Sequence, residues 1–102
     1  MNTMQSTLEN NKLIAEFMEV KHLYSTTRIE TLKYHSDWNW LMEVVEKIES
    51  LGNDVLITSN YIQIAYNEGE NFIVIELEGN IKIFAVYNAC VEFIKWYNEN
   101  KI

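Results

Sequence analysis

The sequence predicts an α+β domain in which a three-stranded antiparallel sheet packs with about three helices, in the order α-α-β-β-β-α. Apolar residues at steps of three and four indicate the helices, and short alternating runs in the middle of the chain indicate the strands. The 102 residues are 48% hydrophobic and 13% aromatic, which excludes a disordered chain and indicates one packed domain.

The chain begins with a polar stretch that shows neither a helical nor a strand pattern. We expect residues 1–10 to form a flexible polar lead and residues 11–102 to form a single α+β domain. Residues 20–35 show no clear period either, and we expect a loop there with an edge strand around 29–34. Between them, apolar residues at helical spacing predict a short helix; they are Leu13, Ile14, Phe17 and Met18.

A longer amphipathic pattern predicts a second helix over about residues 37–51. Asp37 or its neighbour Ser36 can cap the first turn, and Gly52 stands where a left-handed helix ending is favoured. Trp38 and Trp40 are two positions apart and cannot share one face of the helix. We therefore expect one of these tryptophans to enter the core, and the other either to pack under a neighbouring segment or to anchor an interface.

The middle of the chain predicts three strands, at 55–58, 61–66 and 72–77. The links at 59–60 and 67–71 are too short for a parallel crossover, so we expect antiparallel hairpins. The third strand is apolar on both faces in its first half. A strand of this kind is typically central in its sheet or covered on both faces.

The last segment predicts a long helix from about residue 79 to residue 98. Its apolar stripe includes Cys90, the single cysteine of the chain. A nucleophilic thiol needs exposure and a nearby base or cation. We therefore expect Cys90 to be a buried, unreactive core residue.

The acidic charge is concentrated in one part of the chain. The formal net charge is −7, and residues 43–80 hold eight acidic side chains against one basic side chain. One interpretation is a solvated face that keeps the protein soluble, and a second is a docking surface for a basic partner. A third is a divalent-metal site, but no Asp/Asn-rich loop or His cluster completes an oxygen-ligand cage around the glutamates. The candidate partner-binding residues are Glu43, Glu46, Glu49, Glu68, Glu70, Glu76, Glu78 and, as an aromatic anchor, Trp40.

No residue pattern indicates catalysis or a bound metal. The chain has no G-x-S-x-G motif and no glycine-rich phosphate loop, and His22 and His35 do not complete a zinc site with Cys90. We therefore expect a protein that is not an enzyme and needs no cofactor or metal. The polar start lacks a secretory signal and no window is apolar enough for a membrane span, so we expect a cytoplasmic protein without a membrane partner.

Direct binding to nucleic acid is disfavoured by the charge balance, because an acidic chain lacks the basic face that phosphate neutralisation needs. The charge map leaves one alternative, weak RNA or DNA binding by residues 12–34, where cations lie near aromatic rings. The residues concerned are Lys12, Lys21, Tyr24, Arg28, Lys33 and Tyr34.

Three stretches together resemble a family of small phage proteins. They are NKLIAEFM at 11–18, YHSDWNWLM at 34–42 with its continuation VEKIE at 45–49, and VYNACVEFIKWY at 86–97. In combination they resemble uncharacterised bacteriophage and prophage proteins similar to the phage ABA-sandwich domain. The resemblance covers most of the chain from Asn11. This chain departs from it at Glu19 and Glu43, where family members often have a small residue and a proline.

The resemblance implies a protein made by a phage or prophage in the cytoplasm of its host. By analogy with anti-CRISPR proteins, it implies an inhibitor that binds a host defence nuclease complex through the acidic surface. The basic partner would then be a CRISPR effector nuclease or its RNA-bound complex. The alternative is a phage accessory or structural protein that self-associates through an exposed aromatic patch.

Overall fold

The computed structural model describes residues 3–19, 31–77, 79 and 81–100. Within these residues the chain forms three helices and one three-stranded antiparallel sheet, which confirms the predicted α+β class and element order. Numbered along the chain, the elements are α1 (Thr3–Phe17), α2 (Trp38–Ser50), β1 (Asp54–Ile57), β2 (Tyr61–Tyr66), β3 (Asn71–Glu76) and α3 (Lys82–Asn100).

The helices cover one face of the sheet. The strands lie in the order β1-β2-β3 and pair antiparallel through short hairpins, as the short links predict. Helix α2 packs against β1, α3 packs against β2 and β3, and α1 packs against α3. The buried face of β2 contributes Ile62 and Ile64 to the core between these layers. The opposite face of the sheet is not covered by any described residue.

Helix α2 begins and ends where the sequence predicts. The side chain of Asp37 accepts a hydrogen bond from the Asn39 amide at 2.8 Å, which satisfies a free donor of the first turn. Gly52 follows the helix with a φ of +92°, and its amide donates to the carbonyl of Glu49 at 3.0 Å. This left-handed ending directs the chain into β1.

The expectation of a flexible lead over residues 1–10 is wrong for residues 3–10, which form the first part of α1. This part is held against α3 by Tyr87, whose hydroxyl donates to Oδ1 of Asn11 at 3.0 Å and lies 3.4 Å from the Thr7 carbonyl oxygen. Asn11 is itself buried. Polar contacts of this kind stabilise a helix without leaving an apolar period in its sequence.

Residues 20–30, including the start of the edge strand predicted at 29–34, lie outside the described residues. The described part from residue 31 contains turns and no strand, so the strand prediction is wrong there. Leu32 and Tyr34 are nevertheless buried, with exposed Lys33 between them. Alternating buried and exposed residues are typical of a strand, and this is why the sequence predicts one here. The backbone instead forms turns that lead into the N-terminus of α2.

The expectation that the strand at 72–77 is central or covered on both faces is wrong. Among the described residues β3 lies at the edge of the sheet. Its inward residues Ile73 and Ile75 pack against the core, whereas Phe72 and Val74 on the other face are 57% and 52% exposed. The apolar outer side of this strand is therefore a surface feature and not part of the core.

Candidate functional site

Helix α2 presents three of the predicted glutamates to solvent. Its buried side consists of Leu41, Val44, Val45 and Ile48. Successive residues of a helix are rotated by about 100°, so Glu43, Glu46 and Glu49 extend along the opposite side. All three side chains are exposed. We call this group the acidic face of α2.

The single basic residue of the acidic region 43–80, Lys47, is directed away from this face. Its Nζ donates to the carbonyl oxygen of Phe17 at 2.6 Å and lies 5.0 Å from the centroid of the Phe17 ring. Phe17 is the last residue of α1, so the ammonium group stabilises the negative C-terminal end of that helix. Lys47 is therefore engaged with α1 and not with the glutamates of the acidic face of α2.

Two apolar side chains border the acidic face. Trp38 is 40% exposed and Met42 is 38% exposed, and their spacing of four residues places them next to each other on the helix. Trp40, the tryptophan that we predict as the anchor, is half-buried and packs edge-to-face against Tyr34, with ring centroids 5.2 Å apart. Trp38 is therefore the more accessible anchor, because the turn before α2 covers the side of the helix that carries Trp40.

The other predicted glutamates lie in separate places. Glu68 and Glu70 are exposed in the turn between β2 and β3. Glu76 ends β3 at the far end of that strand, about 20 Å from Glu70 at the usual rise of about 3.3 Å per residue. Glu78 lies outside the described residues. Among the described residues of region 43–80, the acidic face of α2 is the group that combines three exposed glutamates with exposed apolar neighbours.

A pocket of 370 Å³ lies where α2, the β2–β3 turn and the last turns of α3 meet. We call it the end pocket. Its lining comprises Leu51, Gly52, Asn53, Asn67, Glu68, Phe93, Trp96, Tyr97 and Asn100. These residues come from separate parts of the chain, so no local motif reveals the pocket. The only signal in the sequence is the spacing of Phe93, Trp96 and Tyr97 on one side of the predicted last helix.

The outer face of the sheet is a second exposed surface. Leu56, on β1, is 48% exposed. It is paired with Gln63 on β2, and Gln63 is paired with Val74 on β3, so the three residues form one row across the sheet. An open groove of 620 Å³ lies on this face where β2 begins and β3 ends, and its lining includes Tyr61, Gln63, Val74 and Glu76. We call this the outer sheet face. Its apolar side chains are candidates for self-association.

Cys90 is buried, as the sequence predicts. Burial raises the pKa of its thiol to about 12, which keeps it protonated and unreactive at neutral pH. Among residues 3–19, 31–77, 79 and 81–100, no group of three His, Cys, Asp or Glu side chains is placed to hold a metal ion. No helix in this part of the chain is long and apolar enough to cross a lipid bilayer.

His35 belongs to a polar network that the sequence does not reveal. Its Nδ1 lies 3.0 Å from Nδ2 of Asn11, and the same amide group donates to the Leu32 carbonyl at 3.4 Å. Tyr87 completes the network on the other side of Asn11, and burial raises the pKa of Tyr87 to about 12. The network joins α1 to α3 and also to the turn that precedes α2. His22 lies outside the described residues.

The region 12–34 offers few groups for nucleic acid among its described residues. Lys12 and Lys33 are exposed. Tyr34, which we consider as a stacking residue, is only 4% exposed, and burial followed by the charge of Glu43 raises its pKa. Its ring therefore cannot stack on a base. Lys21, Tyr24 and Arg28 lie outside the described residues.

No protein-family model, curated protein or solved structure matches this chain.

Proposed function

We propose that this chain is a non-enzymatic binding protein of a phage or prophage that inhibits a host defence nuclease complex. In this proposal the acidic face of α2 docks on a basic, nucleic-acid-facing surface of the partner, and Trp38 and Met42 anchor the contact. The supporting observation is that Glu43, Glu46 and Glu49 are exposed, while Lys47 is engaged with α1.

The physical argument is one of charge and of apolar anchors. A surface of one sign attracts a partner of the other sign and raises the rate of association. Exposed aromatic and methionine side chains supply the apolar contact that holds such a complex, and Trp is enriched among residues that dominate binding energy. An acidic helix on the nucleic-acid site of a nuclease excludes its RNA or DNA by occupying the same cations. A CRISPR effector nuclease or its RNA-bound complex provides a surface of this kind.

A tagged pull-down from host lysate tests the proposal. The variant E43K/E46K/E49K reverses the acidic face, and E16K/E92K/E99K makes the same change in net charge at exposed positions on α1 and α3. We expect the wild type and the control to capture the same protein, with and without nuclease treatment, and the α2 variant to lose it while remaining folded. Equal capture by both variants contradicts the proposal.

Self-association is a second candidate, favoured by the outer sheet face. Leu56, Phe72 and Val74 are about half exposed on one side of the sheet. An isolated three-stranded face measures roughly 15 by 20 Å, or about 300 Å², from the usual strand spacing and rise. A stable interface needs about 800 Å² per partner. The face alone therefore supports only a weak, concentration-dependent dimer.

A further inference from the structure

We propose that the end pocket binds the guanidinium group of an arginine side chain from the basic partner. This inference rests on the proposed function, because it assumes a partner rich in basic residues. It adds a specific anchoring site to the acidic face of α2. Three features of the pocket converge on an organic cation: its aromatic walls, its charge and its position at two helix ends.

The aromatic walls come from α3. Phe93 forms the buried floor, and the half-buried rings of Trp96 and Tyr97 lie 5.9 and 6.0 Å from it between centroids. Tyr66 supports Trp96 from the sheet in an edge-to-face contact at 4.7 Å. The rings are therefore held in place before binding. Aromatic faces attract cations through their quadrupole, and Trp does so most strongly.

The charge of the pocket also favours a cation. Glu68 is the ionisable carboxylate in the lining, and none of the described lining residues is basic. Leu51 and Gly52 directly follow α2, and Asn100 is the last residue of α3. Both helices therefore direct their partially negative C-terminal ends towards the pocket, which stabilises a bound positive charge.

The same group of rings already holds a cation within the protein. Phe17 lies 6.2 Å from Phe93 and 5.5 Å from Tyr97, and Lys47 lies over its ring at 5.0 Å. This internal contact occupies one side of the aromatic group. The end pocket exposes the side formed by Trp96 and Tyr97.

The shape of the site selects arginine. A guanidinium is planar, stacks on an aromatic face and can still form paired hydrogen bonds with a carboxylate such as Glu68. The 370 Å³ of the pocket lies within the range of ligand sites and accommodates one long side chain with adjoining backbone. The amide groups of Asn53 and Asn67 in the lining already donate to the Ile48 carbonyl and to Glu70, so their side-chain oxygens are the atoms that can accept hydrogen bonds from that backbone.

The test is a titration of ¹⁵N-labelled protein with a hexa-arginine peptide, with hexa-citrulline as the uncharged control and hexa-lysine as the comparison cation. The indole N–H resonances of Trp96 and Trp38 report on the end pocket and on the acidic face of α2, respectively. We expect hexa-arginine to shift the Trp96 resonance with higher affinity than hexa-lysine, and hexa-citrulline to leave it unchanged.

Two variants in one turn provide the matched control. E68Q removes the carboxylate that lines the pocket, and E70Q makes the same charge change outside the lining. A glutamine oxygen at position 70 can still accept the 3.5 Å hydrogen bond that the Asn67 amide donates to Glu70. We expect E68Q to weaken the Trp96 response on the order of fivefold and E70Q less than twofold. Because both side chains are exposed, both variants should remain folded.

The two reporters separate this inference from the proposed function. A response at Trp38 without one at Trp96 overturns the pocket and leaves the acidic face of α2 supported. Three other results also overturn the arginine site. Hexa-citrulline could shift the Trp96 resonance as much as hexa-arginine does, or hexa-lysine could bind more tightly than hexa-arginine. The third is an equal weakening of the Trp96 response by E68Q and E70Q. If Trp96 responds as expected while E43K/E46K/E49K still captures the partner, the pocket stands and the α2 docking proposal fails.

Discussion

Lys47 donates a hydrogen bond to the carbonyl oxygen of Phe17 at 2.6 Å and thereby joins the last turn of α2 to the end of α1. Lys47 is the one basic residue of region 43–80, and this bond engages its ammonium group with α1. Stability and surface charge are therefore linked: the residue that secures α1 is also the residue that, if it faced outward, would neutralise part of the acidic face.

The first prediction concerns Lys47→Met. The variant retains most of the apolar stem but loses the hydrogen bond and the favourable charge at the C-terminus of α1, so we expect stability to fall by about 1–2 kcal/mol. Urea denaturation of this variant and of Lys95→Met, an exposed lysine on α3, measures the difference. Equal stabilities of the two variants would show that the contact with Phe17 contributes nothing.

The second prediction concerns the buried amide of Asn11. Asn11→Ala leaves the Tyr87 hydroxyl and the Leu32 carbonyl without this partner, and we expect a loss of about 2–3 kcal/mol. Tyr87→Phe removes a single hydroxyl and should cost about 1 kcal/mol. A double-mutant cycle should show coupling between the two positions. Strict additivity would contradict the network.

The third prediction concerns alkaline pH. Burial raises the pKa of Cys90 from 9.0 to about 12, so the thiol stabilises the fold fully below pH 9 and this contribution falls as the pH rises towards 12. Between pH 8 and pH 10 the wild type should lose about 1.4 kcal/mol more stability than Cys90→Ala. Urea denaturation at both pH values checks this. Parallel losses in the two proteins would mean that the thiol titrates normally.

The fourth prediction concerns the outer sheet face. Phe72→Thr with Val74→Thr removes exposed apolar surface while retaining side chains that suit a strand, so we expect little change in stability. Sedimentation velocity at two concentrations should show weak association of the wild type and a monomer for the variant. A wild type that is strictly monomeric at millimolar concentration removes self-association as a function.

Much of this fold could be predicted from the sequence because its signals are local. The capping by Asp37, the ending at Gly52 and the short hairpin links each depend on a few neighbouring residues. The start of α1 could not be predicted, because it depends on hydrogen bonds between residues 76 and 80 positions apart. Such contacts leave no periodic pattern in the chain.

The candidate site could be predicted only in part for the same reason. The acidic bias of region 43–80 is visible in the sequence, and the helical period places three glutamates on one side of α2. The direction of Lys47, the partial burial of Trp40 and the end pocket depend on how distant segments pack. Composition shows that charge is present, whereas packing determines which charges share a surface.

The most direct test of the acidic face of α2 is the affinity for the captured partner at several salt concentrations. It compares the wild type with E43Q/E46Q/E49Q and with E16Q/E92Q/E99Q, an equal charge change on α1 and α3. We predict that the α2 variant binds at least about tenfold more weakly and with a shallower salt dependence, while the control stays within about twofold of the wild type. Equal affinities and equal salt dependences for the two variants would contradict the account.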